Sequence, residues 1–299
     1  MATGWKRWIE KGLARGGAAR FALRQRTQDV AVLAYHNVVP DGESVVGDRS
    51  LHVHQAEFAA QLDLIQRHAQ VVPLSKIHQS PSESRLRVAI TFDDAYRGAM
   101  TAGLDELEKR GMPSTVFVPT GLLGGEGFWW DLLAVDEQPL EPAVRDHVLE
   151  QLQGDGTRAV AWAREQGHPI ADLPGHALPV TEDELIAVES EGLTLGAHTV
   201  SHANLPVLAE ADVRRELVES KQWLAQRTSR YVDWLAYPYG HYDDMVSRIA
   251  GEVFEGAFRV DGGLIVGSEP TPPHRVPRIN VPRGLTLDGL LLRLSGLIG

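Results

Sequence analysis

The chain has 299 residues, 43% hydrophobic and 23% charged; this is a globular profile long enough for a sizeable core, and it excludes a fibrous or mostly disordered chain. There is no cysteine, so disulfides, thiol catalysis and cysteine-bound zinc are excluded, and the twelve histidines direct any metal chemistry to nitrogen and oxygen ligands. Residues 1–29 hold seven Lys/Arg against Glu10 and Asp29, a net of +5 within an overall −11, so the other 270 residues carry −16 and argue against nucleic acid as a partner.

At the start of the chain, Trp5, Trp8, Ile9, Leu13, Phe21 and Leu23 are interspersed with the basic residues. As a helix, 1–29 would suit peripheral contact with an anionic membrane face; packing on the body or a frayed end are the alternatives, and Gly12, Gly16 and Gly17 weaken a long helix. No continuous apolar stretch follows these basic residues, so a secretory signal is not expected. No apolar run reaches the roughly eighteen residues of a membrane span. The expected location is the cytoplasm or the inner membrane face.

From residue 30 the chain alternates short apolar runs with helical periodicity. Strands are predicted over 30–35, 71–74, 87–92, 114–119, 193–197, 232–237, 256–260 and 276–281. Helices are predicted over 55–69, where Phe58, Leu62 and Ile65 share a face, and over 209–226, where Val213, Leu217 and Leu224 do so. Apolar strands separated by helices imply parallel βαβ units. About eight such units fit a (β/α) barrel, with an open doubly wound sheet as the alternative. Residues 122–180 break the rhythm, opening with Gly124, Gly125 and Gly127, and show no clear strand. The expected organisation is therefore a basic N-terminal segment, 1–29, followed by one α/β barrel domain, 30–299, with a long insertion.

The chemistry-bearing residues fall at predicted strand ends. Asp93 and Asp94 follow Ile90-Thr91-Phe92, where a barrel presents its active-site residues. Adjacent like charges are costly to bury without a cation or a proton, although Asp is also a good helix cap, and the pair alone does not separate the two readings. His198 and His202 follow 193–197; in a straight strand they would lie roughly 13 Å apart, so one ion needs a turn there. Tyr239, in Tyr237-Pro238-Tyr239-Gly240, offers a backbone N–H at the end of 232–237, suited to an oxyanion unless this is an ordinary turn. His36 closes the first strand. These residues meet at one rim, the pattern of metal-assisted hydrolysis.

These segments resemble the polysaccharide deacetylase family with the NodB homology domain, metal-dependent carbohydrate esterases on a distorted, TIM-like (β/α) barrel. Thr91-Phe92-Asp93-Asp94 is similar to its first motif, His198-Thr199-Val200-Ser201-His202 to its second and Tyr237-Pro238-Tyr239-Gly240 to its third. The resemblance implies Asp94, His198 and His202 as ligands of one divalent metal, zinc first, with Ni, Co, Fe or Mn also admissible. It further implies Asp93 as the general base on the attacking water and the Tyr239 N–H as an oxyanion donor. The Arg normally two residues before the third-motif Pro is replaced by Ala236, and Arg278 is its best substitute, a solvent-facing Arg being the other reading. The usual C-terminal Leu-Xaa-His is missing, and Tyr35-His36 is similar to the N-terminal arrangement of members acting on poly-N-acetylglucosamine, which makes His36 the acid. Trp129, Trp130 and Tyr237 are the candidate substrate contacts, with core packing as the alternative for the Trp pair. The implied partner is an acetylated glycan losing N-acetyl groups. An O-acetyl esterase, a non-glycan amide hydrolase or a silent glycan-binding relative are the alternatives.

Overall fold

The structure, a computed structural model, describes residues 17–79, 84–135, 140–188, 192–267 and 269–298. Its frame is a parallel sheet. Strands β1 (Val30–Tyr35), β5 (Arg87–Phe92) and β6 (Ser114–Val118) are buried at every position, as continuous apolar runs covered on both faces must be. With β7 (Leu193–Ala197), β8 (Tyr231–Ala236), β9 (Gly256–Phe258) and β10 (Ile279–Asn280) they form the order β10-β1-β5-β6-β7-β8-β9; β4 (Gln70–Val71) pairs beside β5, and β2 (Asn37–Val39) pairs with β3 (His52–His54) as a separate two-stranded sheet.

Chain 276–280 joins the two edges of the curled sheet. Val276 bridges Phe258 of β9, and Ile279 and Asn280 pair with Leu33 and Ala34 of β1. Alternation along β1 separates two cores. Val30 and Val32 pack with Ala89, Phe117, Trp234 and Phe258 inside the ring, whereas Ala31, Leu33 and Tyr35 join the larger core under the helices. The fold is therefore the expected (β/α) barrel.

Differences from the expected elements have local causes. The run 71–74 keeps only Val71 as strand, because Pro73 cannot donate to a ladder, and Leu74–Lys76 turns as a 3-10 helix. Pro277 likewise cuts 276–281 down to β10. The predicted helices run Gln55–His68 and Glu210–Arg227.

Helix α1 (Ala18–Gln25) buries Ala19 and Leu23 and packs near the C-terminal helix, with Arg26 Nε donating to the Ser295 carbonyl. The rest of the basic segment, 1–16, lies outside the described residues. Helix α2 is Gln55–His68 and α3 is Leu104–Glu108. Between β6 and β7 the described residues hold α4 (Trp129–Leu132), α5 (Pro142–Glu150), α6 (Gly156–Glu165) and α7 (Glu182–Ala187), and no strand. Helix α8 is Glu210–Arg227. No described helix is long and apolar enough to cross a membrane.

Candidate active site

Strand β5 ends at Phe92, and the Asp93 N–H still bonds the Tyr35 carbonyl at 2.9 Å. The chain then leaves the sheet through two left-handed residues, Asp94 (φ 72°) and Ala95 (φ 54°). Both carboxylates are buried, Asp93 at 2% and Asp94 at 1% exposure, where an unpaired charge would be costly. Asp93 has its cation. Arg278, 0% exposed, donates from Nη1 to Oδ1 and from Nη2 to Oδ2, both at 2.7 Å. Its Nε bonds the Arg259 carbonyl at 3.2 Å, and its guanidinium lies over the Phe117 ring inside the barrel.

His198 continues from β7, its N–H bonded to the Val118 carbonyl at 3.0 Å. The Ala236 carbonyl lies 2.7 Å from its Nδ1, which must therefore carry a proton, and Nε2 faces Asp94 Oδ1 at 3.5 Å. Thr199 (φ 66°) and His202 (φ 56°) turn the chain back on itself. Glu216 of α8 holds that turn, accepting from the Val200 and Ser201 N–H groups at 2.9 and 2.8 Å. The turn closes the gap that a straight strand would leave. His202 Nε2 comes to 3.2 Å from Asp94 Oδ1.

Asp94, His198 and His202 thus each present one ligand atom, all within 4.8 Å of one another. Asp94 Oδ1 and His202 Nδ1 are buried without a hydrogen-bond partner. An acceptor left bare beside two imidazoles, one with a proton held on Nδ1, fits a divalent cation. Burial would raise both Asp pKa values, but neighbouring positive charge wins. Arg278 with His198 holds Asp93 below the ordinary carboxylate range, and His202 with His198 holds Asp94 below it too. Burial lowers the pKa of His202, whereas at His198 the charges of Asp93 and Asp94 outweigh burial and raise it.

These groups line a cavity of about 180 Å³, with His36 and Tyr239 on its walls. His36 is half-buried just beyond β1, and Tyr239 sits in the left-handed region (φ 58°) with its ring 4.5 Å from that of His202. Of the three candidate substrate contacts, only Trp130 lines this cavity. Tyr237 is fully buried, stacks on Tyr242 and donates to the His274 carbonyl, so it does not reach the cavity. Trp129 bonds the Tyr239 hydroxyl at 2.9 Å and lines a neighbouring apolar cavity instead. Trp130 borders both cavities and is 4% exposed.

Sequence reading missed the mouth of the cavity. Asp48 and Arg145, 3.8 Å apart, line it together with Ser50 and Asn280. They come from a loop, a helix and strand β10, distant in sequence, and no local pattern marks them.

Residues 81–253, more than half of the chain, match the family model for polysaccharide deacetylase; Asp93, Asp94, His198, His202 and Tyr239 lie inside that stretch, and His36 and Arg278 outside it. YxkH of Bacillus subtilis (strain 168), named for the same family, is 20% identical over 231 residues, 76% of this chain, which spans 62% of that protein's length. IcaB from Ammonifex degensii superposes with a TM-score of 0.62 at 18% identity, over 89% of this chain and 97% of that one. The Streptococcus pyogenes deacetylase PplD in complex with acetate gives 0.61 at 16% identity, over 89% and 98%. At these identities the structural likeness is one of fold, and the family match rests on residues that include the buried Asp/His cluster. The chain belongs to the polysaccharide deacetylase family.

Proposed function

We propose that the chain is a metal-dependent hydrolase that removes N-acetyl groups from an acetylated glycan. One observation carries the reading: a buried Asp94–His198–His202 ligand set shares its cavity with a second carboxylate, Asp93, clamped by Arg278. Asp94 and the Nε2 atoms of His198 and His202 would hold one divalent ion, zinc first by donor chemistry, with Ni, Co, Fe or Mn also accommodated. When bound, such an ion supplies Lewis-acid polarisation and an acidified water.

The remaining work belongs to the chain's own groups. Asp93, kept ionised by Arg278, takes a proton from the water that attacks the acetamide carbon. The Tyr239 backbone N–H donates to the oxygen that becomes negative as that carbon turns tetrahedral. His36, on the same cavity, gives its proton to the amide nitrogen as the C–N bond breaks, yielding acetate and a free amine on the sugar. An amine leaves poorly unless protonated, so His36 supports the N-acetyl substrate. Phe21, 67% exposed on α1 between Arg20 and Arg24, supports a peripheral contact of the N-terminal segment with an anionic surface.

Acetate release should be measured on chitin oligomers, poly-N-acetylglucosamine, peptidoglycan fragments and acetyl-xylan. Chelation should silence it and added metal restore it. Asp93→Asn should lower kcat by about 10²–10⁴-fold while metal stays bound. Undiminished turnover in that variant would remove Asp93 from the role of base, and release from acetyl-xylan alone would replace the amidase by an esterase.

A further inference from the structure

The site stands on a second polar assembly. Asp131, on α4, is 0% exposed, and its three donors come from two distant segments, 48–52 and Tyr96. Its Oδ1 accepts from the Asp48 N–H at 2.8 Å and lies 2.9 Å from His52 Nε2; its Oδ2 accepts from the Tyr96 hydroxyl at 2.6 Å. Asn37 Nδ2, which also donates to the His176 carbonyl, lies 2.9 Å from His52 Nδ1. That amide group can only donate, so His52 carries its proton on Nε2 and gives it to Asp131. The Tyr96 hydroxyl in turn accepts from Trp130 Nε1 at 2.8 Å.

Both ends of this assembly touch the candidate active site. The Trp130 ring packs 4.7 Å from the His202 ring and is stacked on Phe128 at 4.8 Å and 4°. Tyr96 is two residues beyond Asp94 on the turn that aims that carboxylate. Asp48, whose N–H Asp131 holds, lines the mouth of the cavity with Ser50 and Leu51. The loop also fits the carboxylate closely. Gly47 is left-handed (φ 69°), and any Cβ there would collide with the Asp131 carboxylate. A buried carboxylate is an expensive adhesive, since apolar packing of the same volume is often as stable or more so.

We propose that Asp131 is a positioning residue: through Tyr96 it locks Trp130 against the metal-ligand candidate His202, and through the Asp48 N–H it fixes the loop that forms the cavity mouth. This rests on the deacetylase reading for its catalytic consequence, but not for its geometry. Asp131 touches no substrate. Without it the Trp130 indole swings, His202 loses one of the rings packed on it while those of Tyr239 and His198 stay, and the mouth loop loosens.

The test compares Asp131→Asn, which keeps size and one acceptor, with Tyr96→Phe, which removes only the hydroxyl that links Asp131 to Trp130. In the metal-free protein, the Trp130 indole N–H signal and the His202 ring C–H signals, assigned through Trp130→Phe and His202→Ala, are followed by NMR. Both test variants should move these signals and speed exchange of the indole proton. With metal restored, kcat/KM for acetate release should fall about ten- to a hundredfold, the range for residues that orient metal ligands. Unmoved signals would overturn the proposal, as would moved signals with wild-type kcat/KM. If the wild-type chain releases no acetate, the deacetylase reading fails and the NMR signals alone decide the positioning. If Asp131→Asn does not fold, Tyr96→Phe carries the same outcomes.

Discussion

Asp94, Ala95, Thr199, His202 and Tyr239 all have positive φ, and none is glycine. Each such residue costs on the order of 1–3 kcal/mol, a strain that persists only where the surroundings over-determine it. Here they do: Glu216 pins the turn that holds Thr199 and His202, and the Trp129 indole pins the Tyr239 hydroxyl. The most exacting single contact is the Arg278 fork on Asp93. Arg278→Met should destabilise the fold by about 3–5 kcal/mol, because it strands a buried carboxylate without its partner. Urea unfolding would measure this, and a loss below about 1 kcal/mol would show that Asp93 does not depend on the fork. Arg278→Lys keeps the charge but not the two parallel bonds, and should recover only part of the loss. Asp93 and Asp94 were legible as chemistry only together with His198, His202 and His36 at neighbouring strand ends, since the pair alone reads equally as a helix cap. Arg278 was legible only as one of two readings, since its partner lies 185 residues away and the contact runs through the barrel interior.

Strands buried on both faces read clearly as apolar runs, and 30–35, 87–92 and 193–197 match β1, β5 and β7 residue for residue. The two expected strands cut back most, 71–74 and 276–281, contain proline, whose missing N–H matters only once a ladder partner is known. Strand β7 also carries a constraint on its site. A Cβ at Gly196 would lie 2.5 Å from the Phe117 ring and 3.2 Å from the Trp234 carbonyl, two residues before His198. Gly196→Ala should therefore cost about 1–3 kcal/mol by overpacking. It should also weaken metal binding, read by titration with zinc; an unaltered melting temperature would mean the ring simply turns aside. Among the helices, Glu106 of α3 accepts from Lys109 and Arg110 at 2.7 Å and from Gln55 of α2 at 3.0 Å. The Lys109 bond is the largest influence lowering its pKa from 4.5 to about 2, with Arg110 and Gln55 adding to it against burial. A depressed carboxylate stabilises the fold above its unfolded pKa and loses that contribution as pH falls through its folded one. The melting temperature of Glu106→Gln should thus trail wild type at neutral pH, with the gap closing between pH 4.5 and about 2. A gap that is constant with pH would deny the ion pairs their role.

At the scale of the molecule, the site is assembled where the ends of β1, β5, β7 and β8 and the chain around β10 meet, which is the face a parallel barrel offers for chemistry. A ligand that binds only the folded state stabilises it, by about 2.7 kcal/mol at a hundredfold excess over Kd. Zinc should therefore raise the melting temperature of the wild-type chain by several degrees and leave His198→Ala and His202→Ala unmoved. A shift that survives in both variants would locate the metal elsewhere. Composition, strand-and-helix alternation and the residue types at strand ends were determined by sequence alone, because apolar periodicity and turn chemistry act over a few residues. The Arg278 clamp on Asp93, the burial of Trp129 and Tyr237 away from the cavity, and the Asp131 assembly were decided only by tertiary structure. Each depends on which distant side chains closure of the barrel brings into one low-dielectric space, and no local pattern encodes that.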